Sequence, residues 1–182
     1  MLTLVTSNMD KVREYERYLG APIAHESFDL PEIQSLSYEE IVEAKALEAY
    51  KRIGSPVLVD DSGLLIDSMN GLPGPLTKWF EKALGTEGVC RLADADPDRK
   101  GSVTAIVGFF DGTEFKSFRG DSKGTIADHP RGENGFGYDV AFIHEGDDRT
   151  RSELTREEQD ARPFRKTALE ALKTYLQGRG IL

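Results

Sequence analysis

The N-terminal part of the chain alternates short apolar runs with segments that are apolar on one side only. The run Leu2–Val5 predicts a strand, and the polar turn Thr6–Asn8 offers side-chain caps for a helix. The apolar residues of this helix recur with helical spacing at Val12, Tyr15 and Leu19. Gly20 is a natural stop, and a second strand is predicted near Ile23–Phe28.

A second helix is predicted from a capping box at Ser37–Glu40 to about Ile53. Its apolar stripe consists of Val42, Ala46, Ala49 and Ile53. The next segment, Pro56–Asp61, is a short apolar run that ends in two acids. This pattern is typical of a buried strand that delivers carboxylates at its end.

The rest of the chain mixes helices with a meander of strands. Helices are predicted at Leu76–Leu84, at Thr86–Ala93, at Thr155–Glu158, and from Pro163 to about Gln177. Strands are predicted at Ser102–Phe110 and Glu114–Arg119 around an Asp111-Gly112 turn, at Lys123–Ala127 and at Tyr138–Ile143. This order predicts an α/β fold in which helices flank a mixed sheet.

Composition narrows the class of protein. The length of 182 residues predicts a single domain with two lobes. The 23 Lys plus Arg against 32 Asp plus Glu give a net charge of −9. This acidic balance argues against nucleic-acid binding, and no apolar run is long enough for a membrane helix. Cys90 is the only cysteine, which excludes an internal disulfide and fits a reducing cytoplasm. The start of the chain does not have the pattern of a signal peptide.

The segment from Thr6 to Lys11 combines a strand end, a polar turn and a helix N-terminus. Free backbone N–H groups and the positive end of the helix dipole favour an anion there. Ser7 and Asn8 add hydrogen bonds and Lys11 adds a mobile charge, although the same residues also make an ordinary helix cap. The P-loop signature is absent, so a Walker-type NTPase is not supported.

Acidic residues supply candidate metal ligands or bases. The adjacent Asp60 and Asp61 point to opposite faces of a strand, so at most one projects into a given cleft. A carboxylate there holds Mg²⁺ or takes a proton from water, or else it caps a turn. Glu32 is a second candidate ligand.

Three further segments carry candidate chemistry. Lys78 follows the rigid turn of GLPGPLTKWF, and the small residues beside Phe136 in GENGFGYD allow a flat base to approach and stack. Arg165 lies on the buried stripe of the last helix, where a guanidinium needs a partner. That partner is either a structural acid or an acceptor on a ligand.

Taken in order, the motifs TSN..K, LPEIQ, DDSGL, GLPGP..KWF, FRG...G.I and GFGYD..F and the final Arg-bearing helix resemble the inosine triphosphate pyrophosphatase family. The resemblance runs from Thr6 to about Leu172. It implies an elongated two-lobed fold with a central cleft, and a homodimer. It also implies Mg²⁺-dependent hydrolysis of ITP, dITP and XTP to the monophosphate and pyrophosphate, with water attacking the α-phosphorus.

The resemblance also implies a role for each matching residue. The triphosphate would be held by Thr6, Ser7, Asn8 and Lys11, and phosphates or sugar would be contacted by Lys45, Ser62 and Lys78. Glu32 would be a metal ligand, and Asp61 would hold Mg²⁺ or act as the base that activates water. The base platform would consist of Phe136, Gly137, Tyr138 and Asp139, and Arg165 would donate to the 6-oxo oxygen.

The base-reading end departs from the family pattern. Pro163-Phe164-Arg165 stands where the family has Ser-His-Arg, Gln159 stands where it has lysine, and Val140 stands where it has proline. Phe164 therefore offers stacking in place of a hydrogen bond. Two alternatives stay open: the same chemistry on a pyrimidine or modified nucleotide, and a module that binds a nucleotide without cleaving it.

Overall fold

The structure is a computed structural model and describes residues 2–182. Its strands are β1 (Thr3–Val5), β2 (Ala24–Glu26), β3 (Val57–Ile66), β4 (Lys100–Phe110), β5 (Phe115–Ile126) and β6 (Phe142–His144). Its α-helices are α1 (Met9–Leu19), α2 (Tyr38–Ile53), α3 (Thr77–Arg91), α4 (Arg156–Ala161) and α5 (Arg165–Gly178).

The strands form one six-stranded sheet in the order β2-β1-β3-β4-β5-β6. β1 pairs in parallel with both β2 and β3, whereas β5 and β6 are antiparallel. The sheet is therefore mixed, and the predicted α/β class is confirmed. None of the helices within residues 2–182 combines the length and apolar character needed to cross a membrane.

Local capping signals place the first two long helices correctly. The side chain of Asn8 accepts a hydrogen bond from the N–H of Asp10 and begins α1, and Ser37 caps α2 through the N–H of Glu40. Gly20 and Gly54 end these helices with φ of 75° and 72°. The predicted starts and stops of α1 and α2 are confirmed because each depends on neighbouring residues only.

The strand predictions are less accurate around the acids and the glycines. β3 continues through Asp60 and Asp61 to Ile66, so the acids lie within the strand and the prediction that they end it is wrong. β5 joins the two predicted strands Glu114–Arg119 and Lys123–Ala127 and also includes Gly120–Ser122, for which no strand was predicted. Gly124, within the second predicted strand, pairs with His144 of β6.

Three further boundaries differ from prediction. The predicted strand at Tyr138–Ile143 begins as the 3₁₀ turn Gly137–Val140, and only Phe142–His144 is extended. The last helix begins at Arg165 and not at Pro163. The two helices predicted around Thr86 form α3, which has a non-helical residue at Gly85.

Residue contacts divide the chain into two units. The first contains the chain up to Asp61, Ile106–Arg119 and Arg165–Leu182, and the second contains Ser62–Ala105 and Gly120–Phe164. Within the first unit α1 packs against α5, around a core that includes Leu4, Tyr15, Leu58, Phe109 and Leu172. The core of the second unit includes Leu64, Val103, Tyr138, Phe142 and Phe164. Each unit thus has its own apolar centre.

Two side chains of the second unit combine polar atoms with burial. Cys90 is buried in the core. His144 is buried as well. Burial lowers the pKa of His144 to about 4, with Arg151 nearby adding to the effect, so its imidazole is neutral at pH 7. Its Nδ1 lies 2.8 Å from the hydroxyl oxygen of Ser122, and its ring contacts Phe142 edge-on.

The turn between β4 and β5 is held by one carboxylate. Asp111 accepts hydrogen bonds from the N–H groups of Thr113 and Glu114, both at 2.9 Å, and pairs with Arg179 at 2.7 Å. The N–H of Glu114, the hydroxyl and N–H of Thr113 and the charge of Arg179 hold the pKa of Asp111 well below its usual range. The ionised form therefore stabilises the folded state.

Replacing Asp111 with alanine is expected to lower the free energy of unfolding at pH 7 by about 1–3 kcal/mol. Because the folded pKa is depressed, this contribution is complete above the unfolded pKa of about 3.9 and is lost as the pH falls toward the folded value. Urea unfolding of both proteins at neutral and acidic pH measures it. An equal difference at both pH values would contradict the role of the ionised carboxylate.

Candidate active site

The N-terminus of α1 forms the predicted anion-binding turn. The N–H of Asn8 donates to Oγ1 of Thr6 at 3.1 Å, and the N–H of Asp10 donates to Oδ1 of Asn8 at 2.9 Å. These bonds hold the turn in shape, while the side chain of Ser7 is exposed. The positive end of the helix dipole is directed at this turn, which suits a phosphate group.

Lys11 lies in the first turns of α1 and reaches β3. Its Nζ pairs with Oδ1 of Asp60 at 2.8 Å, and Nε of Arg165 lies 3.8 Å from Oδ2 of the same carboxylate. Burial opposes the ionisation of Asp60, but the charges of Lys11 and Arg165 outweigh it and hold the pKa of Asp60 below its usual range. Asp60 therefore stays charged and fixes both cations.

Arg165 has a second acidic partner. Its Nη1 lies 3.3 Å from Oε2 of Glu14, and both side chains are buried. The sequence left the partner of this buried guanidinium open. The structure shows two acidic partners, Glu14 and Asp60. Sequence reasoning missed Glu14, although its position three residues after Lys11 places both on one face of α1.

The predicted metal ligands meet around one lysine. Nζ of Lys45 lies 2.9 Å from Oδ2 of Asp61 and 3.2 Å from Oε1 of Glu32. Burial lowers the pKa of Lys45, but the two carboxylates outweigh burial and raise it. Two carboxylates gathered on one cation make a site of negative potential that attracts further cations.

The donor set fits a hard divalent cation that is shared with a substrate. Mg²⁺ in proteins is commonly held by one or two carboxylates together with substrate phosphates and water. Asp61 and Glu32 supply that number of carboxylates. Within residues 2–182 no group of three or more His, Cys, Asp or Glu side chains is arranged to hold a metal by itself. A pair of carboxylates suits a cation whose remaining ligands are phosphate oxygens and water.

The predicted base platform lies in the second unit. Phe136 exposes 39% of its surface, whereas Tyr138 is buried in the core. The buried Asp139 accepts a hydrogen bond from the N–H of Phe136 at 3.1 Å and pairs with Nε of Arg151 at 3.2 Å. Of the four platform residues, the Phe136 ring therefore presents the aromatic surface, and Asp139 holds the turn.

Arg151 is a residue that sequence reasoning missed. Its guanidinium is buried between Asp139 and the ring of Phe164, with its central carbon 5.6 Å from the ring centroid. Phe164 is 1% exposed, so the prediction that it offers stacking to a base is wrong. Gln159 is buried too, and its amide donates to the carbonyl of Arg151 at 2.8 Å. No local signal marks this cluster, since its members are brought together by folding.

The remaining predicted contacts also belong to the second unit. Ser62 follows Asp61 in β3 and is half-buried. Lys78 is the second residue of α3, and its Nζ lies 5.7 Å from the ring centroid of Trp79.

Comparison with known proteins points to one family. A model described as the Ham1 family matches residues 2–175. A dITP/XTP pyrophosphatase of Methanopyrus kandleri is 40% identical, covering 91% of this chain and 90% of that protein. Inosine triphosphate pyrophosphatase 2 of Trypanosoma cruzi is also 40% identical, covering 96% and 91%. A solved HAM1 protein from Coxiella burnetii superposes with a TM-score of 0.84 at 31% identity, covering 97% and 98%.

Proposed function

Because the chain belongs to the Ham1 family, we propose that it is a nucleoside triphosphate pyrophosphatase that hydrolyses ITP, dITP and XTP to the monophosphate and pyrophosphate. Relatives named dITP/XTP pyrophosphatase and inosine triphosphate pyrophosphatase align over nearly its whole length. The observation that carries the proposal is the meeting of Asp61 and Glu32 at Lys45. We propose that the active form is a homodimer.

Enzymes of this family are generally metal-dependent hydrolases, and we propose Mg²⁺ as the metal. Asp61 and Glu32 would hold it. When bound, the cation neutralises charge on the phosphate oxygens and polarises the reacting phosphoryl group. We propose that Asp61 accepts the proton of the attacking water; its carboxylate is partly exposed, and its ion pair with Lys45 orients it.

The cations of the first unit provide the rest of the electrostatic stabilisation. The N-terminus of α1, Lys11 and Lys45 are proposed to bind the triphosphate, whose charge grows on the pyrophosphate leaving group. Asp60 holds Lys11 in place at 2.8 Å, so the lysine is ordered before substrate arrives. Such preorganisation lowers the cost of arranging charges during the reaction.

Base recognition is proposed to use Phe136 and Arg165. The exposed ring of Phe136 would stack on the base, and Arg165, oriented by Glu14, would donate a hydrogen bond to the 6-oxo oxygen. Adenine has a 6-amino group at that place, which would meet the guanidinium as a second donor. The burial of Phe164 removes the structural reason for preferring a pyrimidine.

The test is pyrophosphate release followed by phosphorus NMR, with Mg²⁺ and a panel of ITP, XTP, GTP, ATP, UTP and dTTP. We expect rapid release from ITP and XTP and slow release from ATP and GTP. Comparable or faster cleavage of UTP and dTTP would overturn the proposed substrate class. Binding of ITP without any pyrophosphate after hours would overturn the proposed activity.

A further inference from the structure

Glu81 on α3 presents its carboxyl group to the turn that carries the proposed base platform. A Cβ placed on Gly137 would lie 2.9 Å from Oε1 and 3.2 Å from Oε2 of Glu81. The carboxyl group therefore packs directly on the main chain of the turn beside Phe136. Only a residue without a side chain leaves room for it there.

One oxygen of this carboxyl group is buried and unsatisfied. Within the described chain, Oε1 of Glu81 has no hydrogen-bond partner. A buried acceptor without a donor is costly, and such groups in folded proteins commonly await a ligand or water. The position of this oxygen against the platform points to a donor on whatever binds there.

The surrounding charges do not supply that donor. Asp139 faces Glu81 from the turn, and its carboxylate is already paired with Arg151. On α3 itself, the ammonium groups of Lys78 and Lys82 lie over the ring of Trp79. Burial, and then the charge of Asp139, raise the pKa of Glu81 to about 7. Hydrogen bonding to a donor would favour its ionised form.

The proposed substrate offers one suitable donor. The base of inosine carries a single N–H group, at N1, because N9 is bonded to the sugar and position 6 is a carbonyl. We propose that Oε1 of Glu81 accepts a hydrogen bond from this N1–H group and so contributes to the selection of ITP over ATP. Adenine held in the same place presents a lone pair at N1 to the carboxyl oxygen. This inference rests on the proposed function.

The experiment pairs a change in the protein with a change in the substrate. Wild type, Glu81→Ala and the control Glu87→Ala, an exposed acid on the same helix, are assayed with ITP and with its N1-methyl derivative. For wild type and the control, methylation should lower kcat/KM about ten- to a hundred-fold, the range of a hydrogen bond to a charged group. For Glu81→Ala the two substrates should be cleaved about equally.

Each outcome has one meaning. An equal methylation penalty in wild type and Glu81→Ala would overturn the inference while leaving the proposed function in place. A loss in Glu81→Ala that is the same for ITP, its N1-methyl derivative and ATP would show that Glu81 is only structural. Failure of the wild type to cleave ITP would overturn the proposed function itself.

A pH profile provides a readout that loss of folding does not produce. Because the ionised carboxylate is the stronger acceptor, KM for ITP relative to ATP should fall as the pH rises through about 7 in wild type. The two substrates carry the same triphosphate, so its titration changes both KM values equally and cancels in their ratio. Glu81→Gln keeps the shape and an acceptor oxygen but should show no such change, and a persisting pH step would contradict the inference.

Discussion

An Asp61→Asn variant is expected to release pyrophosphate from ITP about a thousand-fold more slowly than the wild type. Asparagine has nearly the same shape, but it cannot take a proton from water and is a weaker ligand for a divalent cation. The loss should fall mainly on kcat, because the cations that bind the triphosphate remain. Initial rates of pyrophosphate release with Mg²⁺ measure it.

The control for this variant is Asp29→Asn, which removes a charge from an exposed position of the same unit. It should leave turnover unchanged, and both variants should unfold close to the wild-type temperature. Lys45 keeps Glu32 at 3.2 Å when Asp61 is neutral, so no buried cation is left alone. An Asp61→Asn protein with full turnover would show that another group activates the water.

Replacing Asp60 with alanine is expected to have the largest effect on stability, about 3–5 kcal/mol less free energy of unfolding. The Asp60 carboxylate is only 5% exposed and lies 2.8 Å from Lys11 and 3.8 Å from Arg165. Its removal leaves the ammonium of Lys11 without its counter-charge in a place that water hardly reaches. Urea unfolding followed by circular dichroism at neutral pH measures the change.

The matched control is Asp98→Ala. Asp98 pairs with Lys100 at the similar distance of 2.7 Å, but the two side chains are 66% and 61% exposed. Water screens this pair, so its loss should not change stability measurably. If Asp60→Ala costs no more than the control, Lys11 and Arg165 find other counter-charges and the proposed importance of the buried pair is wrong.

Part of the candidate site is readable from local sequence. Asn8 and Ser37 are confirmed as helix caps because a cap is satisfied by an N–H two or three residues away. The buried face of α5, including Arg165, follows from helical spacing alone. The proposed roles in catalysis and base recognition follow from the order of the motifs along the chain.

The second unit shows where local reading fails. Arg151 reads as one more charge in a polar loop, and Phe164 reads as an aromatic next to a predicted base-reading arginine. Folding instead covers the ring of Phe164 with the guanidinium of Arg151, which pairs with Asp139. These contacts join residues that are far apart in the chain, so neither hydrophobic periodicity nor a helix-capping pattern predicts them.

The adjacent acids Asp60 and Asp61 show which features local sequence determines and which depend on the tertiary structure. Strand alternation predicts that they point to opposite faces, and the structure gives them different partners, Lys11 for one and Lys45 for the other. Local sequence thus determined the positions of the helices and strands, and it determined that adjacent side chains of a strand point to opposite faces. Both depend on backbone geometry within a few residues. Only the tertiary structure decided which acid is buried between cations and which meets Glu32, because those partners come from α1, α5, α2 and a distant loop whose positions are set by packing.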